Sequence, residues 1–134
     1  MAHVRRDKKR GNQSATIEAY KNAIHAAVIR SCGCDHYTGE KLNWTLIGKY
    51  RNLESKTHGR HYKAGFALLP SIDHVNDGLG EADFRICAWR TNDAKNDLTH
   101  EDFVVLCRSV VIHFERVNNV VNEAHSDDRI PELK

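Results

Sequence analysis

The pair Asp73-His74, followed downstream by Asn92 and Lys95, is the part of the sequence best suited to chemistry. An imidazole titrates near neutral pH and can take a proton from water. Carboxylate and amide oxygens are the ligands that Mg²⁺ prefers, and a lysine can neutralise a phosphate oxygen. These residue types together predict hydrolysis of a phosphodiester bond with the help of a divalent cation, Mg²⁺ or Mn²⁺.

Two short apolar runs and a helical turn are predicted to position these residues. The run 68–75 predicts a strand, with Pro70 at an edge or before its start, and 84–89 predicts a second strand. The loop 76–80 joins them, and Asn92 begins a helical turn. Adjacent strand residues point to opposite faces, so Asp73 and His74 serve one site only if the backbone bends or substrate passes between them.

The remaining elements are predicted to be mostly helical. Ser14 is the expected cap of a first helix that continues to about Arg30, and residues 54–66 indicate a second. Residues 99–102 resemble a capping box at the start of a long amphipathic helix that ends at 122. The predicted fold class is α+β. We expect a disordered basic tail at 1–13, a single domain over 14–124 and a flexible polar tail at 125–134.

Composition is that of an ordinary globular protein and limits the function classes. The 134 residues carry a net charge of +2, with 40% hydrophobic and 28% charged residues. No apolar run is long enough to span a membrane, and the polar N-terminus does not resemble a signal peptide. These features predict a cytoplasmic protein with no membrane partner.

Positive charge is concentrated just before the Asp73-His74 pair. Two interpretations stay open for this segment: the solvated face of a helix, or a surface that binds the DNA backbone. The candidate nucleic-acid contacts are Lys49, Arg51, Lys56, Arg60, Lys63 and Arg90.

The four cysteines allow two interpretations. Structural zinc sites usually combine two close Cys pairs, whereas the first pair here has the spacing Cys-x-Cys and the other two lie on separate predicted elements. The spacing therefore favours buried free thiols over a zinc site. The residues concerned are Cys32, Cys34, Cys87 and Cys107.

Three segments of the chain together resemble the HNH endonuclease family, whose ββα-metal motif runs Asp-His, then a middle Asn, then Asn or His followed by x-x-Lys. Ile72-Asp-His-Val75 is similar to the first part of that motif, and Arg90-Thr-Asn-Asp-Ala-Lys-Asn96 is similar to the last. Cys34-Asp-His-Tyr-Thr-Gly-Glu-Lys-Leu42 resembles the Thr-Gly turn that precedes it. The resemblance covers roughly half of the chain.

The resemblance implies a small ββα-metal core with flanking helices and a role for each motif residue. It implies His74 as general base, Asp73 and Asn92 as metal ligands, and Lys95 as a phosphate or structural contact. The middle Asn of the family, which ties the loop and orients the base, corresponds here to Asp83. An ionised Asp accepts hydrogen bonds but donates none, so this position departs from the family pattern.

Two functions are therefore open for the chain. The leading hypothesis is a metal-dependent DNA endonuclease with water activated by His74. The alternative is a catalytically inactive module of the same fold that binds DNA or a protein partner. The apolar stripe of the helix at 99–122 also predicts a homodimer contact, because it exceeds what one small core covers.

Overall fold

The computed structural model describes residues 2–76 and 78–126, with the backbone alone for 122–126. The chain divides into two compact units between Asp97 and Leu98. Mixed helices and strands agree with the α+β class. In chain order the elements are α1 (Ala2–Lys9), α2 (Ile17–Ser31), a 3-10 turn (Trp44–Leu46), α3 (Asn52–Ala64), β1 (Pro70–His74), β2 (Phe84–Ala88), α4 (Trp89–Lys95) and α5 (His100–Ser126).

The strands β1 and β2 form an antiparallel pair that leads directly into α4. Asp73 lies opposite Arg85, and His74 lies opposite Phe84. The order strand, loop, strand, helix is as predicted. Because α4 begins at Trp89, Asn92 lies in its middle rather than at its start.

The core of the first unit lies between α2 and the sheet. Tyr20 and Ala27 of α2 are buried, as are Phe84 and Ile86 of β2. The Tyr20 and Phe84 rings meet edge to face, with centroids 5.2 Å apart. Such a pair stabilises the helix on the sheet beyond the apolar area that it buries.

Helix α2 is capped by a residue other than the predicted Ser14. Thr16 has an extended backbone, and its hydroxyl accepts a hydrogen bond from the Ala19 N–H at 3.1 Å. The Ser14 hydroxyl instead donates to the Asn12 side-chain oxygen at 2.7 Å. Both residues are capable caps, and the contact with Asn12 decides between them.

The N-terminal segment is a helix, where the sequence predicted a disordered tail at 1–13. Val4 and Asp7 of α1 are buried, although Arg5, Arg6 and Lys8 beside them are charged and exposed. A helix of eight residues is marginal in isolation. Its order therefore depends on tertiary contacts, which local propensity does not reveal.

Helix α3 covers nearly the range predicted, but it contains a break. Gly59 has φ 53° and ψ −126°, a conformation outside the helical region that glycine adopts without a steric penalty. Behind the helix, Tyr50 packs against Tyr62, Phe66 and Trp89 at centroid distances of 5.0–5.4 Å. This aromatic cluster fixes the start of α4.

Helix α5 begins where the capping pattern predicted. The Thr99 hydroxyl accepts a hydrogen bond from the Asp102 N–H at 3.1 Å, which is one half of a capping box. The helix continues to Ser126, beyond the predicted end at 122. The flexible tail predicted for 125–134 lies outside the described residues beyond that point. Within the described part of the chain, no helix is long and apolar enough to cross a membrane.

Candidate functional site

Asp73 and His74 leave opposite faces of β1 and meet different partners. His74 shares its face with the apolar residues of the sheet, and its ring lies 4.8 Å from that of Phe84. Asp73 lies on the other face, among residues of α4 and of the turn after α2. The alternation of a regular strand produces this divergence, and the backbone does not bend to remove it.

The imidazole of His74 is held by a buried carboxylate from α1. Its Nε2 lies 3.0 Å from Oδ2 of Asp7, whose side chain is 0% exposed. Because that carboxylate accepts the hydrogen bond, we assign the proton to Nε2 and the lone pair to Nδ1. The guanidinium of Arg6 contacts the same ring, with Nη2 3.2 Å from each ring nitrogen. The His74 side chain keeps 17% of its surface exposed.

Asp7 is anchored by three donors. Besides His74, it accepts hydrogen bonds from the Tyr20 hydroxyl at 2.7 Å and from Nε of Arg6 at 3.1 Å. Burial raises the pKa of Asp7, but hydrogen bonds from Tyr20, Arg6 and His74 outweigh it and leave the pKa below its usual value. Burial, together with the Asp7 hydrogen bond, raises the pKa of Tyr20 to about 12. The carboxylate is thus ionised and fixed in place at neutral pH.

The loop between the strands passes close to Asp7. Gly78 has φ +83°, and a Cβ there would lie 3.0 Å from the Asp7 carboxyl carbon. Asn12 donates to the Gly78 and Gly80 carbonyls at 2.7 Å and 3.0 Å. The segment after α1 therefore ties this loop.

The contacts of Asp83 are with arginine side chains and across the sheet, rather than with His74. Its carboxylate lies 2.8 Å from Arg85 and 3.5 Å from Arg30, and its carbonyl accepts from Val75 across the sheet. The loop-tying contact predicted for position 83 is made by Asn12, and the contact with His74 is made by Asp7.

On the opposite face, Asp73 belongs to a buried triad. The residue is 6% exposed, and its Oδ2 lies 3.0 Å from the ammonium of Lys95, which is 5% exposed. The Tyr37 hydroxyl donates to the same carboxylate oxygen. Burial, followed by the interaction with Asp73, raises the pKa of Tyr37. A buried carboxylate needs such partners because an unpaired charge is costly there.

Asn92 lies on the same seam between β1 and α4. Its amide nitrogen donates to the Ser71 hydroxyl at 2.9 Å and approaches the Ile72 carbonyl at 3.5 Å. Ser71 and Asp73 share one face of β1, and Asn92 and Lys95 share one face of α4. The Lys95 ammonium shows that this carboxylate accommodates a cation, and the Asn92 carbonyl offers a second hard oxygen. A divalent cation at Asp73 would first have to displace the Lys95 ammonium, which holds this carboxylate at 3.0 Å.

A further buried carboxylate, Asp35, has a structural role that the sequence did not indicate. It accepts hydrogen bonds from the Thr91 hydroxyl at 2.7 Å and from the Ala88 N–H at 2.8 Å, besides two in its own turn. Burial raises the pKa of Asp35, but these hydrogen bonds outweigh it and lower the pKa. Asp35 thereby joins the Thr-Gly turn to the point where β2 becomes α4.

All six residues predicted to contact nucleic acid have exposed side chains. The guanidinium of Arg90 is paired with the carboxylate of Glu40. Helix α1 adds a second basic surface, and none of its residues was among the predicted nucleic-acid contacts. Its exposed members, with the residue after the helix, are Arg5, Arg6, Lys8, Lys9 and Arg10.

The cysteines differ in their surroundings. Cys32 is exposed and Cys34 half-buried in the turn after α2, Cys107 is exposed on α5, and Cys87 is buried in β2. Burial, together with Asp73 and Asp35, raises the pKa of Cys87 to about 12. Among the described residues, no three His, Cys, Asp or Glu side chains form a group able to hold a metal ion.

Sequence reasoning missed Asp7, Arg6 and Tyr37. The sequence held a weak signal for Asp7 and Arg6. Together with His3, they have the spacing of residues on one face of a helix. All three approach the His74 ring, with the His3 centroid 5.4 Å away. Comparison with known proteins found no matching family model, no matching curated protein and no matching solved structure. The functional conclusion therefore depends on the geometry of these residues.

Proposed function

We propose that the chain is an endonuclease that hydrolyses phosphodiester bonds of DNA, with His74 as its general base. The observation that carries the proposal is the hydrogen bond between His74 and the buried, ionised Asp7. A carboxylate in this position fixes the tautomer of the imidazole and stabilises the imidazolium that forms when it takes a proton. The His74 side chain keeps 17% of its surface exposed, so the supported imidazole remains within reach of water.

In the proposed reaction, the Arg6 guanidinium moves from Nδ1 of His74 to the phosphate, and Nδ1 then removes a proton from the attacking water. Asp7 holds the opposite nitrogen as a donor throughout, so the ring keeps its orientation when its charge changes. The resulting hydroxide attacks the phosphorus, and the bond to the leaving oxygen breaks. Arg6 contacts the ring edge and has a side chain that is 44% exposed, so its guanidinium is well suited to bind an entering phosphate.

The exposed basic residues of α1 extend this phosphate surface. Helix α1 carries one acidic residue, Asp7, and that residue is buried and neutralised by its partners. The outward charge of the helix is therefore positive directly beside His74. Contacts of this kind bind the nucleic-acid backbone without reading its sequence. We expect α1 to contribute to DNA affinity together with the basic residues of 49–63.

The divalent cation of the proposal would be held by Asp73 and Asn92. When bound, it would neutralise charge on the phosphate and on the leaving oxygen. Lys95 would have to leave Asp73, and its ammonium would then be available to a phosphate oxygen. A phosphodiester that crosses the end of β1 would meet His74 from one face and Asp73 from the other.

The second candidate function is an inactive module that binds DNA or a protein. The pair formed by Lys95 and Asp73 favours it, because an ammonium already neutralises the predicted metal ligand. In such a module, Asp73 is a structural residue and His74 contributes only to the packing of α1.

A plasmid-nicking assay in Mg²⁺ or Mn²⁺ separates the two functions. We expect the wild-type chain to nick supercoiled DNA and His74→Ala to lose between about 100-fold and 10,000-fold of the rate, the usual range for a general base. The control is His25→Ala, which removes an exposed histidine of α2. Equal rates for His74→Ala and the wild type, with DNA binding retained, would establish the module instead.

A further inference from the structure

Helix α5 presents apolar side chains to solvent over most of its length. Val110 is 60% exposed, Phe114 66% and Val117 46%, and Cys107 is exposed as well. Scattered apolar residues are normal on a protein surface, but a continuous row marks an interaction site. A helix in water also gains most of its stability from packing an apolar face. This row therefore requires an explanation.

The spacing of the row identifies the kind of partner. Cys107, Val110, Phe114 and Val117 are separated by three, four and three residues. Alternation of three and four is the period of 3.5 residues that keeps one seam of a helix facing another helix. Phe103 and Val121 continue the same spacing at the two ends of the row. The partner expected for this surface is thus another helix packed along its axis.

The residues on either side of this apolar row indicate which helix the partner is. Partner choice between paired helices is set by charges beside the seam, where like charges repel and opposite charges attract. The flanking positions of α5 contain no Lys, Arg, Asp or Glu, so no charge opposes pairing with an identical helix. They are Val104, Leu106, Val111, His113, Asn118 and Val120. Their apolar members also widen the seam.

We propose that α5 pairs with α5 of a second copy of this chain, through a seam formed by Cys107, Val110, Phe114 and Val117. The charged residues Arg108, Glu115 and Arg116 then lie outside the seam. The pairing covers Val110, Phe114 and Val117, which are otherwise exposed to solvent. It goes beyond the proposed nuclease function and holds or fails independently of it.

The decisive experiment measures the mass of the full-length chain in solution by light scattering after gel filtration and by sedimentation equilibrium, over micromolar concentrations. We expect a dimer for the wild type. Val110→Glu and Phe114→Glu place a charge in the seam, so we expect each to raise the dissociation constant at least about 100-fold, as desolvation of an unpaired charge implies. Circular dichroism of each variant checks that its helices remain.

The matched control is Ile112→Glu. Ile112 is 48% exposed and lies on the side of α5 opposite the seam, so the same new charge there should leave the dimer intact. Val110→Ala and Phe114→Ala repeat the test with milder changes if the glutamate variants lose helicity. A monomeric wild type, a mass above that of a dimer, or equal dissociation by Ile112→Glu and Phe114→Glu would each overturn the proposal. None of these readouts depends on DNA cleavage.

Discussion

A buried carboxylate lies beside each face of β1, but the two carboxylates have opposite settings. On one face, the buried Asp7 contacts His74, whose side chain remains 17% exposed. The Arg6 side chain lies beside the same ring. On the other face, Asp73 is paired with Lys95. Both side chains are buried, with exposed fractions of 8% for Asp73 and 6% for Lys95. The first arrangement is what the proposed general base requires, whereas the second is either structural or a cation position that the protein itself fills.

The largest expected effect concerns the carboxylate that orients the base. Asp7→Asn keeps the shape of the side chain but removes its charge, so the imidazolium loses its stabilisation. We expect the nicking rate to fall on the order of 100-fold, within the range of general-base catalysis. The measurement is the single-turnover rate across pH, since a purely structural loss would not change the form of the pH profile.

Asp83→Asn is the control for this comparison. Asp83 lies against Arg85 and Arg30 rather than against His74, so its variant should retain the rate to within about threefold, as a surface ion pair contributes little. A large loss for Asp83→Asn with little loss for Asp7→Asn would reverse the assignment and return the orienting role to the position that the family pattern predicts.

The second effect concerns the buried pair on the other face. Lys95→Met leaves the Asp73 carboxylate unpaired apart from Tyr37, so we expect a loss of about 3–5 kcal/mol in the free energy of unfolding, as for other broken buried pairs. If Asp73 can hold a divalent cation, Mn²⁺ should restore stability in Lys95→Met more than it stabilises the wild type. Thermal unfolding with and without Mn²⁺ measures this.

The cation control is Lys95→Met combined with Asn92→Ala. Loss of the Mn²⁺ effect in the double variant supports Asn92 as the second ligand. If Mn²⁺ stabilises neither Lys95→Met nor the wild type, then Asp73 is a structural partner of Lys95, and the cation does not bind between β1 and α4.

The smallest effect concerns His3 and the dependence of stability on pH. Burial, together with the nearby His74 and Arg6, lowers the pKa of His3 despite the opposing Asp7. The unfolded chain therefore binds a proton more readily than the folded one. This contribution to stability is present above pH 6.5 and is lost as the pH falls from there through the lower folded pKa. Chemical denaturation between pH 7.5 and about 5 should show it.

His3→Gln should flatten that pH dependence relative to the wild type, whereas His25→Gln, at an exposed position of α2, should leave it unchanged. Parallel curves for the wild type and His3→Gln would mean that His3 is solvated, and that α1 does not bury it beside His74.

Much of the local structure was predictable from the sequence because it depends on near neighbours. The strand, loop, strand, helix order of 70–95 follows from apolar runs separated by glycine and asparagine, and the start of α5 follows from Thr99 and its acidic first turn. The strand period also required Asp73 and His74 to face opposite ways. The zinc and divalent-cation predictions remain predictions, and so does the role of each residue in catalysis.

The sequence by itself determined which residues lie at the end of β1, and the tertiary structure decided what each of them contacts. Asp7 and Asn12 lie in a segment whose composition predicted disorder, and they become ordered only by reaching Tyr20, His74 and the Gly78 loop. Such contacts join residues far apart in the chain, and their stability comes from burial and charge pairing that no local pattern records. The same reason explains why Lys95 is the buried partner of Asp73.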